Sequence, residues 1–286
     1  MTFFEYGGGT GLLCALARAA GIGTVVYNDI YNQSCQDAKV IHAGLGLAAD
    51  HYVEGDVDAA LRYLEERNVH CGAIASFDVI EHVYDLDDLF EKLPRFSRGG
   101  PLRIVMSSAA NGFNPRIRSE LLEVHRKLEH EDREPKWGQK KRDSLVAYRA
   151  LREQIVRKRL EDTQSSLPEP TIKTLAERTR GLVKPLIEKA VDACVAGGSP
   201  PAQPAHPSNT CDPFTGNWGE RLFDPHEFLR ILERQGLRGQ VRGEFCEGRY
   251  GIASRVKGRL LRLGTRHHRA LGLKVAPFYS VMATRD

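Results

Sequence analysis

The sequence predicts an α/β fold: a doubly wound, mostly parallel sheet of seven strands with a helical insertion after the fifth. Three observations predict it. Short β-rich apolar runs alternate with helical patterns over residues 1–110. A charged, helix-like stretch over 113–205 interrupts them and closes in AGGSPPAQPAHP. Mixed patterns return over 206–286 and supply two more β-rich runs. Strand–helix alternation of this kind is how a parallel sheet reads in sequence. The expected divisions are therefore 1–112 (core), 113–205 (helical insertion, an acceptor lid) and 206–286 (remainder of the core).

Each element has a local cause. Phe3 and Phe4 form a short strand ending at Glu5, and Gly7 to Gly11 form a turn. Leu12 to Ala20 is a helix with Leu12, Leu16 and Ala19 as its apolar face, closed by Gly21. Thr24 to Tyr27 is a second strand, leading to Asp29; Tyr52-Val53 is a third, leading to Glu54-Gly55-Asp56. Ala73 to Phe77 is a fourth, ending at Asp78. Asp85 opens a helix whose acidic first turn suits the helix dipole, and Leu102 to Met106 is a fifth strand. Two or three long helices are expected over about 116–132, 141–162 and 171–195. Asp224-Pro225 starts another helix, ended by Gly236, and Gln240 to Phe245 and Pro277 to Thr284 read as the last two strands.

Composition narrows the class. The 286 residues are 41% hydrophobic and 27% charged with a formal net charge of +4, which excludes global disorder. No apolar run approaches the ~20 residues of a membrane-spanning helix. The first residues lack the basic and apolar regions of a signal peptide. Six cysteines (Cys14, Cys35, Cys71, Cys194, Cys211 and Cys246) show no CxxC pair, so a cytoplasmic chain with free thiols is expected and a thiolate zinc site is not.

The turn Glu5-Tyr6-Gly7-Gly8-Gly9-Thr10-Gly11 lies between a strand and a helix, where glycines let a ligand approach the backbone. It is not a dinucleotide fingerprint, because Leu12 stands where a third spaced glycine is needed, and Gly-Lys-Ser/Thr is absent. Asp29, 18 residues after Gly11, can accept both hydroxyls of a ribose. Asp56 can accept an adenine amino hydrogen. Three acids in order at strand ends point to a nucleoside ligand rather than to three unrelated turns.

FEYGGGTG, YNDI, EGD and FDVIEHV, in this order and spacing, resemble motifs I to IV of class I S-adenosylmethionine-dependent methyltransferases, in particular the broad group with a D-V-I-E-H-V segment. The resemblance covers residues 2–110 well and 220–286 loosely. It implies a Rossmann-like methyltransferase sheet with an antiparallel seventh strand. It also implies S-adenosyl-L-methionine as cofactor, with Glu5, Gly7, Gly9 and Gly11 along its methionine and ribose portion. Asp29 would hold the ribose, Asp56 and Val57 the adenine, and Asp78 would border the site. The family usually carries one or two covering helices before motif I, whereas the first strand here begins at residue 2. A non-catalytic cofactor-binding protein is therefore one alternative.

Asp78-Val79-Ile80-Glu81-His82-Val83 would border the transferred methyl group. Methyl transfer from a sulfonium needs in-line positioning, plus a base when the acceptor is a hydroxyl. His82, with the imidazole's ordinary pKa of about 6.5, suits that base, with Glu81 beside it; both also suit helix capping. Asp78, Glu81 and His82 also resemble the E-x-x-E-H metal site of small-RNA 3′-terminal 2′-O-methyltransferases, with His125 and His206 as candidates for a later ligand. The reading adopted has no metal, and a metal-assisted RNA methyltransferase is the second alternative.

Two further segments stand out. His206 to Arg221 is dense in polar groups around Trp218, as carbohydrate sites are, or is an irregular loop with Asx-turns at Asn209 and Asp212. From Arg238 to Asp286 there are eleven Lys/Arg against three acids, concentrated in 255–272. Such a basic amphipathic segment can lie on an anionic membrane surface or pack on its own domain. Sparse aromatics disfavour nucleic acid. The partner expected is a small-molecule or glycoconjugate hydroxyl acceptor.

Overall fold

The computed structural model describes residues 1–134, 143–245 and 269–286. Among them the elements run β1 (Thr2–Glu5), α1 (Leu12–Ala19), β2 (Thr24–Asp29), α2 (Asn32–Leu45), β3 (His51–Glu54), α3 (Val57–Glu66), β4 (Ala73–Phe77) and α4 (Leu86–Lys92). A 3-10 turn at Leu93–Ser97 leads to β5 (Leu102–Ser108). There follow α5 (Pro115–His130), α6 (Tyr148–Asp162), α7 (Glu169–Arg178), α8 (Lys184–Val195), α9 (Pro225–Arg234), β6 (Arg238–Glu244), α10 (Arg269–Val275) and β7 (Phe278–Arg285). No helix among the described residues is long and apolar enough to cross a membrane.

The chain forms two compact units. The first is Met1–Ile80, Asp85–Asn114 and Phe223–Asp286; the second is Glu81–Tyr84 and Pro115–Leu222. The units divide at residues other than those read from composition: 206–222 fall with the helices, not with the returning core. Residues 81–84 leave the core for the helical unit, and their backbone groups explain it. Arg221 N–H donates to the Glu81 carbonyl at 3.0 Å and Trp218 N–H to that of His82 at 3.3 Å.

The first unit is a seven-stranded sheet of order β3-β2-β1-β4-β5-β7-β6. β1 to β5 pair in parallel; β7 runs antiparallel to both β5 and β6. The sheet is thus mixed, with the seventh strand inserted before the sixth. Both directions of crossover start from β1, so the carboxyl ends of β1 and β4 adjoin where the strand order reverses. Phe4 (β1) stacks on Phe96 at 4.7 Å, and Phe90 (α4) on Phe228 (α9) at 5.0 Å.

Helix α1 departs from the expected face. Leu12 and Leu16 are 63% and 56% exposed, and Cys14 and Ala15 are buried instead. The helix lies close against the sheet, with Cys14 Sγ 3.5 Å from the Val26 carbonyl, so only small side chains fit beneath it. Helix α2 packs on β2 and β3 and α3 on β3, and α3 is started by Asp56, which accepts Ala59 N–H at 2.9 Å. Asp224 starts α9 in the same way, accepting His226 N–H at 2.9 Å.

Among the described residues the second unit has four helices, α5 to α8. The run expected over 171–195 is two, α7 and α8, divided at Gly181 (φ +81°) and restarted with Pro185 in the first turn of α8. Ile155, Val156, Leu160, Ile172, Leu175, Ile187 and Val191 form its core. Five cysteines, Cys14, Cys35, Cys71, Cys194 and Cys211, are buried free thiols. The basic 255–272 segment lies outside the described residues up to 268.

Candidate functional site

The glycine turn at the end of β1 is fixed by side chains behind it. Tyr27 O–H donates to the Gly9 carbonyl at 2.7 Å, and His42 Nε2–H to the Gly11 carbonyl at 2.7 Å. A carbonyl only accepts, so the His42 proton sits on Nε2. Its Nδ1 then accepts from Tyr52 O–H at 2.8 Å, and the Tyr52 oxygen accepts Ala49 N–H at 3.1 Å. Gly7, Gly9 and Gly11 have φ of +67°, +55° and +75°. A Cβ on Gly11 would stand 2.4 Å from His42 Nε2, whereas one on Gly9 would meet nothing within 4 Å. Gly9 is therefore the residue over which space is open for a ligand. Gly11→Ala should lower the unfolding free energy in urea by about 2–4 kcal/mol through overpacking and left-handed strain.

Glu5 does not face that space. It is 3% exposed, and its oxygens accept Cys14 N–H at 2.7 Å and Leu13 N–H at 3.3 Å. It serves the first turn of α1 from beneath the loop, and burial pushes its carboxyl up. Asp29, at the end of β2, is 5% exposed. Its Oδ2 accepts Gly9 N–H at 2.9 Å and its Oδ1 accepts Tyr31 N–H at 2.9 Å. Each carboxylate oxygen has a second lone pair, so both can still accept a hydroxyl. Asp56 is exposed and caps α3 with Oδ1, while Val57 behind it is buried. Asp78, at φ +53°, closes the turn after β4: its Oδ1 accepts Ala109 N–H at 2.9 Å.

Sequence motifs do not single out Asn28. It is 1% exposed, and its Nδ2 donates to the Val53 and Gly55 carbonyls at 3.1 and 2.9 Å. Its Oδ1 is buried with no hydrogen-bond partner. A buried acceptor left open beside Asp29 awaits a donor. The only signal in the sequence is a polar residue where a central parallel strand should be apolar.

In the second unit His82 is the ordered candidate. Its Nδ1–H donates to the Trp218 carbonyl at 2.8 Å, which leaves the lone pair on Nε2. Nε2 is 3.7 Å from Glu220 Oε1, too long for a hydrogen bond and within ion-pair range. Glu220 is itself at φ +61°, and its carbonyl accepts His125 Nε2–H at 2.9 Å. Trp218 is built into this arrangement: Tyr84 stacks on it at 5.8 Å, Arg221 lies over it at 4.8 Å, and Tyr84 O–H donates to the Gly181 carbonyl at 3.2 Å. The 206–221 segment is thus the mount of His82, and its indole is already in use. Its Asx-turn at Asp212 is present, with Oδ1 accepting Phe214 N–H at 2.8 Å. Glu81 is fully buried.

The later-ligand candidates are otherwise engaged. His125 binds Ser208 and Glu220, and His206 Nδ1 accepts Asn209 N–H at 3.1 Å. No group of three His, Cys, Asp or Glu among the described residues is placed to hold an ion.

Beneath the 206–221 segment, Arg152 (fully buried) donates to both oxygens of Glu129, and Thr210 O–H donates to Glu129 Oε2 at 2.8 Å. Burial raises the Glu129 carboxyl; the Arg152 charge and these hydrogen bonds outweigh it and hold it below its ordinary value. A depressed carboxyl stabilises the fold above its unfolded pKa and loses that contribution as pH falls through the folded one. Acid titration followed by far-UV circular dichroism should therefore show Glu129→Gln flattening the loss of stability below about pH 4.5.

Comparisons with known proteins are sparse in sequence and broad in structure. No family model matches the chain and no curated protein matches it. Among solved structures, a SAM-dependent methyltransferase from Archaeoglobus fulgidus is similar over 99% of this chain and 86% of its own, at 14% identity and a TM-score of 0.41. A ribosomal protein L11 methylase from Lactobacillus delbrueckii subsp. bulgaricus is similar over 43% of this chain and 58% of its own, at 20% identity and 0.32. An S-adenosylmethionine-dependent methyltransferase from Clostridium acetobutylicum is similar over 39% and 44%, at 13% identity and 0.32. The chain thus spans less than half the length of this last protein.

Proposed function

We propose that the chain is a class I S-adenosylmethionine-dependent methyltransferase acting on a hydroxyl of a small molecule or glycoconjugate. The observation that carries this reading is the end of β2. The Asp29 carboxylate is bonded to the N–H of Gly9, over which space is open, and the preceding residue, Asn28, has a buried Oδ1 with no hydrogen-bond partner. That set suits a ribose and its nucleobase: two carboxylate oxygens to accept vicinal hydroxyls, an amide oxygen for a further donor, and a glycine that leaves room. The antiparallel β7 is the strand that the motif resemblance implies.

The cofactor, when bound, supplies an electrophilic methyl group on a sulfonium. The residues of this chain supply the rest. Asp29 and Asn28 orient the nucleoside, and the fixed carbonyls of Gly9 and Gly11 hold the loop rigid. Val79 fills the space that a Gly7 side chain would take. His82 Nε2 can take the proton given up by an acceptor hydroxyl, and Glu220 Oε1 lies 3.7 Å from that nitrogen.

Asp29→Ala should weaken binding of S-adenosylhomocysteine by about 1–3 kcal/mol, roughly 5–150-fold in Kd. The function itself is tested by incubating the full chain with methyl-labelled S-adenosylmethionine and a panel of sugar and small-molecule alcohols. Label transferred to a hydroxyl supports the proposal. Label transferred only to RNA, and only with added divalent ion, would replace it with the metal-assisted reading.

A further inference from the structure

Five of the described residues other than glycine have a left-handed backbone. Asn68, Arg98 and Gln164 follow the ends of α3, the 3-10 turn and α6, where that conformation ordinarily closes a helix. Asp78 closes the turn after β4. Glu220, at φ +61°, closes no helix. It lies in an excursion of the chain. Trp218 N–H donates to the His82 carbonyl and Arg221 N–H to that of Glu81, so two extra residues, Gly219 and Glu220, stand opposite one step of their partner. The excursion is held from outside: Gly219 N–H donates to the Thr210 carbonyl at 3.0 Å, and the buried His125 donates Nε2–H to the Glu220 carbonyl at 2.9 Å. Extra residues of this kind re-aim a side chain. A glycine would adopt the same backbone without strain, so an acid there points to a use for its carboxylate. That carboxylate faces His82. Glu220 Oε1 lies 3.7 Å from His82 Nε2, and both side chains are open to solvent, at 36% and 38% exposed. The Nδ1–H bond to the Trp218 carbonyl leaves Nε2 of the neutral imidazole an acceptor, and a carboxylate oxygen only accepts. Two acceptors side by side cannot bond one another, so each takes its donor from a third party.

We propose that the molecule to be methylated is a vicinal diol seated on this pair, with one hydroxyl donating to His82 Nε2 and its neighbour to Glu220 Oε1. The oxygens of a gauche vicinal diol stand about one hydrogen-bond length apart, so two acceptors 3.7 Å apart are within reach of one molecule. A carboxylate oxygen has two lone pairs and takes this donor whatever else the group meets. One diol replaces two waters, and its bond to the charged carboxylate is the stronger of its two. The neighbouring hydroxyl thus holds the reacting one in register with the base, a hold that a lone hydroxyl lacks. Arg221, whose guanidinium lies over Trp218 at 4.8 Å, and the buried Glu81 are the charged groups that flank the pair in sequence. That the diol is methylated rests on the methyl-transfer reading; that it sits here does not.

The test has two arms, both with the full chain at about pH 8, where an ordinary imidazole is neutral. In the first, methyl transfer is measured for each alcohol of the panel that takes label and for its counterpart lacking the neighbouring hydroxyl. The diol should have the higher kcat/KM by at least about tenfold, and Glu220→Gly should reduce that ratio to about twofold or less. Glycine takes over φ +61° without strain, so this variant should keep the parent's urea transition and a lost preference reports the carboxylate. The second arm uses no cofactor. The His82 ring protons, assigned with His82→Gln, are followed by NMR as cis-1,2-cyclohexanediol or cyclohexanol is added. At equal concentration the diol should shift them further, and Glu220→Gly should remove the excess. Equal kcat/KM for the paired alcohols would overturn the proposal, as would equal NMR responses to the two probes or no response to either. A chain that transfers no label yet distinguishes the diol by NMR would overturn the methyl-transfer reading and leave the diol seat standing.

Discussion

His82→Gln should lower the turnover of methyl transfer by about 10²–10⁴-fold while leaving the Kd for S-adenosylhomocysteine within about twofold of the parent. Glutamine keeps an N–H that can reach the Trp218 carbonyl, so the mount survives. What it loses is the basic Nε2 lone pair that this hydrogen bond directs outward. Trp218 contributes its carbonyl as well as its ring, so Trp218→Phe should leave the His82 tautomer in place. Single-turnover rates with each variant separate the two roles. A His82→Gln enzyme with full turnover would show that the acceptor needs no base from this position, and would point to methylation of an already ionised or nitrogen acceptor.

Arg152→Met should cost the fold about 3–5 kcal/mol. The guanidinium is fully buried, bonded to Glu129 and, through Nε, to the Ala176 carbonyl at 2.7 Å. Removing it strands a buried carboxylate among Thr210 and the helix ends. Urea denaturation is the measurement, and the double change Arg152→Met with Glu129→Met should recover most of the loss, because an apolar pair of similar volume leaves no uncompensated charge. The same variants test whether the 206–221 segment depends on this pair, since Thr210 ties the segment to Glu129.

The core is legible in the sequence because its signals are local. β4 (Ala73–Phe77) is bounded as read, and Asp224 and Asp85 cap the helices expected of them. Motif spacing identifies Asp29, whose place at the end of β2 follows from chain order alone. Sequence and structure part where neighbours, not periodicity, decide. Leu12 and Leu16 have helical spacing and remain exposed, because α1 sits too close to the sheet for large side chains. Glu5 reads as a ligand group yet is spent on Cys14 and Leu13, contacts that only the loop's curvature creates. Asn28 is hidden because its partners, Val53 and Gly55, lie 25 and 27 residues away in sequence. The His82 mount is hidden for the same reason, as Trp218 lies 136 residues beyond it. The polar density of 206–221 reads as a sugar site, whereas its groups mostly satisfy one another.

The methyl-transfer reading rests on the proposed binding of S-adenosylmethionine through Asp29 and the glycine turn. Calorimetric titration of the full chain with S-adenosylhomocysteine measures it without recourse to an acceptor. One site per chain is expected, retained in His82→Gln and weakened in Asp29→Ala. No binding by a chain whose circular dichroism and urea transition show it folded would contradict it.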